Sequence, residues 1–179
     1  MQTTIDPDSL VFLDETSVKT DITRLRGWCP SGERLVESIP GGHWKTCTLV
    51  HAISLNGTRA AMVLDGPLNG PSFTGFCEWL LAPSLNAGDY VIMDNLSTHK
   101  SAAATSAITS AGASAVYLPP YSPDLNPIEN IFSKLKQLIR AMRPRFLRQI
   151  VDAVAHALSQ ITLDDILGVF DHAGYLQHE

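Results

Sequence analysis

The sequence predicts an α/β domain built on a mixed sheet. Three observations predict it: two apolar runs that each end in acid, two β-rich runs joined across Asn56-Gly57, and a long amphipathic stretch after position 126. The order reads as three strands, a helix, a strand, a helix, a strand and then helices.

Each element carries its own signal. Residues 10–15 are an apolar run closed by Asp14 and Glu15, the pattern of a buried strand. Residues 21–42 are polar and rich in Gly and Pro (Cys29-Pro30-Ser31-Gly32, Pro40-Gly41-Gly42), a loop or an irregular hairpin. Residues 43–54 and 59–64 form a hairpin across Asn56-Gly57. Residues 71–81 set Phe73, Phe76, Cys77 and Leu80 at helical spacing, and residues 89–94 are a second buried strand ending in acid. Residues 101–111 read as a short helix stopped by Gly112, and residues 115–118 as a strand closed by Pro119-Pro120. Asn126 is a favoured N-cap, with Pro127 at the first helical position and Glu129 at the third. Ile128, Ile131, Phe132, Leu135, Leu138, Ile139 and Met142 then make one apolar stripe, which Pro144 ends. A helix over 146–160 follows, with Phe146, Ile150, Val154 and Leu158 four apart. Thr162 and Asp165 cap a last short one carrying Ile166, Leu167 and Phe170.

At 179 residues and 19.4 kDa the chain has room for one domain with one core. Hydrophobic residues at 45% and charged residues at 17% exclude a disordered chain. Cys29, Cys47 and Cys77 form no CxxC pair and are expected as reduced, mostly buried thiols. No apolar run approaches the roughly 20 residues of a membrane helix, and the N-terminus lacks the basic and apolar regions of a signal peptide. The expectation is a cytoplasmic protein without a membrane partner. A net charge of −5 speaks against a general nucleic-acid binder. The distribution changes that: Lys134, Lys136, Arg140, Arg143, Arg145 and Arg148 fall in one stretch with no acid among them.

Asp14 and Asp94 each follow a hydrophobic run. Carboxylates at the ends of adjacent buried strands project into one cleft, where they repel unless a cation lies between them. Mg²⁺ suits such a site because it takes carboxylate oxygens and keeps water positions. The plainer reading of either aspartate alone is a helix cap or a loop turn. Glu129 also has two readings. At the third helical position it closes a capping box; at about 100° per residue it also stands at the edge of the apolar stripe, in line with Ser133, Lys136 and Arg140. Metal carboxylates beside phosphate-pairing bases are what phosphodiester chemistry requires.

Leu13-Asp14-Glu15-Thr16-Ser17, the segment 93–100 (Met-Asp-Asn-Leu-Ser-Thr-His-Lys) and the segment 118–130 (Leu-Pro-Pro-Tyr-Ser-Pro-Asp-Leu-Asn-Pro-Ile-Glu-Asn) resemble the three catalytic blocks of the IS630/Tc1-mariner transposases. Between Asp94 and Glu129 lie 34 residues (95–128), the spacing of the DD34E class. The resemblance covers residues 10–170. It implies an RNase H-like fold, a mixed five-stranded sheet flanked by helices, with Asp14 on the first strand, Asp94 after the fourth and Glu129 on a later helix. It implies a DDE catalytic domain in which these three residues hold two Mg²⁺ ions, with Mn²⁺ as a substitute. The implied reaction is metal-dependent hydrolysis at transposon ends, then transfer of the freed 3′-OH into target DNA at TA sites. The implied partners are transposon inverted-repeat ends, target DNA, and a second copy or a subunit carrying helix-turn-helix domains. Such domains are expected to be absent from residues 1–179, which form a single catalytic domain; the implied setting is a bacterial cytoplasm, at the nucleoid. Two other readings stand beside this one: an RNase H-like nuclease that cleaves without joining, and a non-catalytic remnant that pairs with a full transposase. Intact Asp14, Asp94 and Glu129 speak against the remnant.

The candidate DNA contacts are His99, Lys100, Lys136 and Arg140, although His99 reads more simply as a polar residue at a helix start. Glu15 alternates to the other face of its strand from Asp14 and is not counted as a ligand. Trp28 and Trp44 are expected in the core, with stacking on a base as the alternative. His43, Cys47 and His51 make no convincing zinc set, and His172 and His178 are expected in a solvated tail.

Overall fold

The apolar run that opens the domain becomes the middle strand of the sheet. It belongs to a computed structural model that describes residues 5–24, 26–36, 38, 41, 43–120 and 122–176. Pro40, Gly42, Tyr121 and His178 lie outside the described residues. Strand β1 (Leu10–Lys19) runs past Glu15 because its second half pairs antiparallel with β2 (Thr46–Ser54), from Glu15 opposite Val50 to Lys19 opposite Thr46. β2 turns into β3 (Gly57–Asp65), and Gly57 at φ 105° supplies the left-handed residue that the tight turn needs. On its other flank β1 pairs in parallel with β4 (Tyr90–Met93), which pairs in parallel with β5 (Ser114–Tyr117). The order β3-β2-β1-β4-β5 is the expected mixed five-stranded sheet.

Successive side chains of β1 face opposite ways and bury two cores. Phe12 and Val18 pack on one face with α3 (Ile128–Met142), α4 (Leu147–Ser159) and α5 (Leu163–His172). Val11 and Leu13 pack on the other with α1 (Gly70–Phe76) and α2 (Ala102–Ser110). α1 continues through a π-helical segment (Cys77–Leu81) and a 3₁₀ turn (Ala82–Ser84), so the helix expected over 71–81 is irregular in its second half. Gly112 stops α2 at φ 82°, where an added Cβ would stand 3.0 Å from the Cβ of Ala87. In α3 the stripe Ile128, Ile131, Phe132, Leu135 and Ile139 is buried, while Met142 lies exposed at its end.

Three expectations need correction. Trp28 and Trp44 are 99% and 56% exposed, not in the core. Among the described residues between β1 and β2 there is no strand, so nothing presses these rings onto the sheet. The Lys19 ammonium lies 6.0 Å over the Trp44 ring. Phe146 precedes α4 and is exposed. The cysteines are mostly buried, as expected: Cys47 and Cys77 are buried and Cys29 is exposed. Among the described residues no helix is long and apolar enough to cross a membrane.

The capping box expected at α5 is formed. The Thr162 N–H donates to Asp165 Oδ2 at 2.8 Å, and the Asp165 N–H donates to Thr162 Oγ1 at 3.2 Å. Lys134 of α3 donates to the same Asp165 oxygen and ties the two helices together. The Lys134 hydrogen bond, followed by that of the Thr162 N–H, holds the Asp165 carboxyl down at about 2. An unfolded aspartate titrates near pH 3.9. The folded carboxylate's contribution is therefore complete above about pH 4 and is lost as the pH falls through about 2. Asp165→Asn is expected to lower the urea midpoint at pH 7, with the gap from wild type closing between about pH 4 and pH 2. A gap that ignores pH would assign the whole effect to the oxygen and none to its charge.

Candidate active site

The pairing of β1 with β4 extends only to Phe12 opposite Ile92. Beyond it one flank of β1 is open. Asp14 sits within the strand at that notch, not at a strand end, and Asp94 follows the last residue of β4. The start of α3 closes the third side. The result is a pocket of about 410 Å³ whose lining includes Asp14, Asp94, Asn126 and Glu129, with Leu118 and Pro119 on its wall.

Asp14 is the buried member, 8% exposed. Its Oδ1 accepts the Glu15 N–H and its Oδ2 accepts the Asn126 side-chain amide, both at 2.8 Å. This corrects the expected helix start. Asn126 does not cap α3 with its side chain; Pro127 occupies the cap position and no capping box forms there. The physical reason is orientation: a cap would accept a helix N–H with its side-chain oxygen, but the Asn126 side chain is turned so that its Nδ2 donates to the buried Asp14 carboxylate, a strong charged acceptor. Its Oδ1 is buried with no hydrogen-bond partner. Glu129, freed from a capping duty, is exposed in the first turn of α3, where the helix terminus favours an anion.

Asp94 is partly exposed. Its Oδ1 accepts the Leu96 N–H at 3.2 Å and lies 2.6 Å from His99 Nδ1, a short contact out of line for a hydrogen bond. On its other side the His99 Nε2–H donates to Glu15 Oε2 at 2.9 Å. His99 is therefore not a DNA contact. Its side chain is 0% exposed, rests 4.6 Å from the Phe73 ring, and its carbonyl accepts the Tyr117 hydroxyl at 3.1 Å. Glu15 points to the face opposite Asp14, as strand alternation requires, and meets His99 there. Neither the Asn126–Asp14 bond nor the Glu15–His99–Asp94 chain had a sequence signal, because partners 112 and 84 residues apart leave no periodicity.

Burial pushes the Asp14 carboxyl up to about 7; the Glu15 N–H pulls it back, and the charges of Glu15, Asp94 and Glu129 push it further up. Burial alone would lower His99, yet its hydrogen bond to Glu15 and the charges of Glu15 and Asp94 raise it above the ordinary histidine range. The pocket is an excess of negative charge that a cation would relieve. Three carboxylates from three elements are the donor chemistry of a hard divalent ion, although among the described residues no three His, Cys, Asp or Glu side chains are already arranged to hold one.

The basic stretch divides by role. Lys134 is bound to Asp165, and Arg145 Nη1 donates to the carbonyls of Thr20 and Ile22, pinning the loop after β1. Lys136 and Arg140 instead line a second pocket, of about 300 Å³, together with Lys19 and Asp21. Lys100, next to His99 in the chain, is exposed.

Fold and site together define an endonuclease of the DDE class: the model of the DDE superfamily endonucleases matches residues 9–151, and the chain belongs to that family. Similar solved structures include those of the mariner transposase Mos1, whose RNase H-like fold this sheet and its helices share. The Mos1 catalytic domain superposes with a TM-score of 0.70 at 13% identity, over 94% of this chain and 78% of that one. Mos1 in a paired-end complex with its left transposon end gives 0.73 at 15% identity, over 92% of this chain and 52% of that one. This chain thus spans about half of the longer Mos1 chain. Mos1 has also been solved as a paired-end complex with Mn, at TM-score 0.73, 14% identity and coverage of 92% and 53%. No curated protein matches the chain.

Because the folded Asp14 titrates near 7 and the unfolded group near 3.9, wild-type stability without metal is expected to fall as the pH rises through that window. Asp14→Asn removes the buried charge, and a flipped Asn126 could offer its unpartnered Oδ1 to the new amide. At pH 8 in metal-free buffer the variant should melt above wild type, with the advantage shrinking toward pH 4. Equal melting across the range would show that Asp14 is not held at a cost.

Proposed function

We propose that this chain is the catalytic domain of a transposase, which hydrolyses a phosphodiester at a transposon end and joins the freed 3′-OH to target DNA at a TA site. The observation that carries the reading is the convergence of Asp14, Asp94 and Glu129 on one pocket, from β1, the end of β4 and the start of α3. These residues would hold a pair of Mg²⁺ ions, with Mn²⁺ as a substitute. With divalent ions bound, such a site gains an activated water and neutralises charge on the reacting phosphate. Asn126 fixes the Asp14 carboxylate against rotation, and Leu118 and Pro119 wall one side of the cleft. In hydrolysis a water oxygen bonds to phosphorus and the 3′ oxygen leaves with the electron pair of its broken bond. In joining, that 3′-OH takes the place of water. No covalent enzyme intermediate is required, so no Ser or Tyr nucleophile is needed.

Lys136 and Arg140 in the second pocket, and the exposed Lys100, pair with backbone phosphates in this reading. Phosphate contacts position DNA without reading its sequence. The net charge of −5 supports a division of labour in which a helix-turn-helix element or a second subunit supplies end recognition. The Mos1 complexes with transposon ends, and those containing Mn, support the choice of substrate and ion.

Asp94→Asn and Glu129→Gln are each expected to abolish cleavage of a transposon-end duplex in Mg²⁺ or Mn²⁺ while leaving the melting profile intact. Glu129 makes no cap that Gln must preserve. An active Glu129→Gln protein would remove Glu129 from the site; cleavage by wild type without joining would leave the narrower nuclease. Binding to random and end duplexes should be alike, with a Kd of about 10⁻⁴–10⁻⁶ M at physiological salt. Changing Lys136 and Arg140 together to Ala should make the slope of log K against log salt shallower by about 2. An unchanged slope would take DNA out of that groove.

A further inference from the structure

We infer that His99 is a positioning residue for Asp94: its ring, anchored by Glu15 on the far face of the sheet, occupies Asp94 Oδ1 and leaves Oδ2 as the oxygen offered to a divalent cation. The inference rests on the metal reading of the pocket and adds residues that the three-carboxylate motif does not contain.

Asp94 needs such support. It follows β4 directly, so no strand pairing fixes its backbone beyond Met93, and its side chain is 38% exposed. Its Oδ1 takes two contacts, the Leu96 N–H and His99 Nδ1, whereas no described residue bonds Oδ2. The His99 ring cannot drift. Nε2 is tied to Glu15, the ring lies against Phe73, and the backbone is held by its N–H to the Leu96 carbonyl and by the Tyr117 hydroxyl on its own carbonyl. Glu15 is in turn fixed by β1, one residue from Asp14. The two aspartates are thereby referenced to one strand: Asp14 by its own backbone, Asp94 through His99 and Glu15. Groups that orient metal ligands from behind are commonly worth 10–100-fold in metal affinity.

The test is Mn²⁺ binding, followed by the loss of the free-ion paramagnetic resonance signal, with melting curves taken on every variant. His99→Phe keeps a ring against Phe73 and removes both nitrogens; it is expected to weaken Mn²⁺ binding about 10–100-fold. His99→Asn returns an amide nitrogen near the place of Nδ1 and is expected to recover most of that loss, which a merely space-filling role would not show. At the rim, Glu15→Gln keeps an acceptor for Nε2–H without the charge and should stay close to wild type, whereas Glu15→Ala should weaken binding. The Glu15 pair keeps the question open to measurement even where His99→Phe fails to fold. A folded His99→Phe protein with wild-type affinity overturns the inference, as does equal weakening by Glu15→Gln and Glu15→Ala, which would mean that charge alone acts. Asp94→Asn separates the two levels: if wild type binds Mn²⁺ no better than Asp94→Asn, the metal reading itself falls and this inference falls with it.

Discussion

The hydrogen bond from Asn126 to Asp14 joins the centre of the sheet to the start of α3, and most of the site's shape follows from it. A buried carboxylate is costly unless donors surround it. Asp14 has one donor from its own strand and one from a residue 112 positions away. That second donor sets where the segment just before α3 crosses the pocket and where α3 begins. The same segment is held from outside, where the Tyr175 hydroxyl donates to the Leu125 carbonyl at 2.7 Å and the Tyr175 ring packs 4.8 Å from Phe12. The end of the described chain thus braces the loop against the strand that carries Asp14.

The sheet divides the labour between its faces. Toward α3 lie Asp14 and the open pocket; toward α1 and α2 lie Glu15, His99 and Phe73, with no opening to solvent at the histidine. One strand supplies both faces through adjacent residues, because a period of two sends Asp14 and Glu15 opposite ways. Charges that would repel within one cleft are in this way separated by the thickness of the backbone.

Much of the fold was legible because it depends on local periodicity. The five strands, the stripe of α3, the turn at Gly57, the stop at Gly112 and the Thr162–Asp165 cap all follow from patterns within a dozen residues. Recognition of the three segments brought Asp14, Asp94 and Glu129 together, and the pocket contains all three. What stayed hidden depends on tertiary partners. Asn126 has the sequence context of an N-cap, and only the presence of Asp14 redirects its amide. His99 looked like a surface residue because nothing in its neighbourhood announces Glu15. Trp28 and Trp44 looked like core because large aromatic rings usually are, yet the segment that bears them makes no ladder with the sheet.

The register of β1 has a kinetic side. The meander β1-β2-β3 is antiparallel and close in sequence, whereas Leu10 meets Tyr90 only after some eighty intervening positions have been ordered or looped out. Non-local parallel pairing is the slow kind, since loop closure comes before the contacts that reward it. Asp94 and Glu129 lie beyond the meander in sequence, so the topology favours a meander that forms before the carboxylate cluster does. By topology the carboxylate cluster is thus expected to be among the last parts of the fold to assemble.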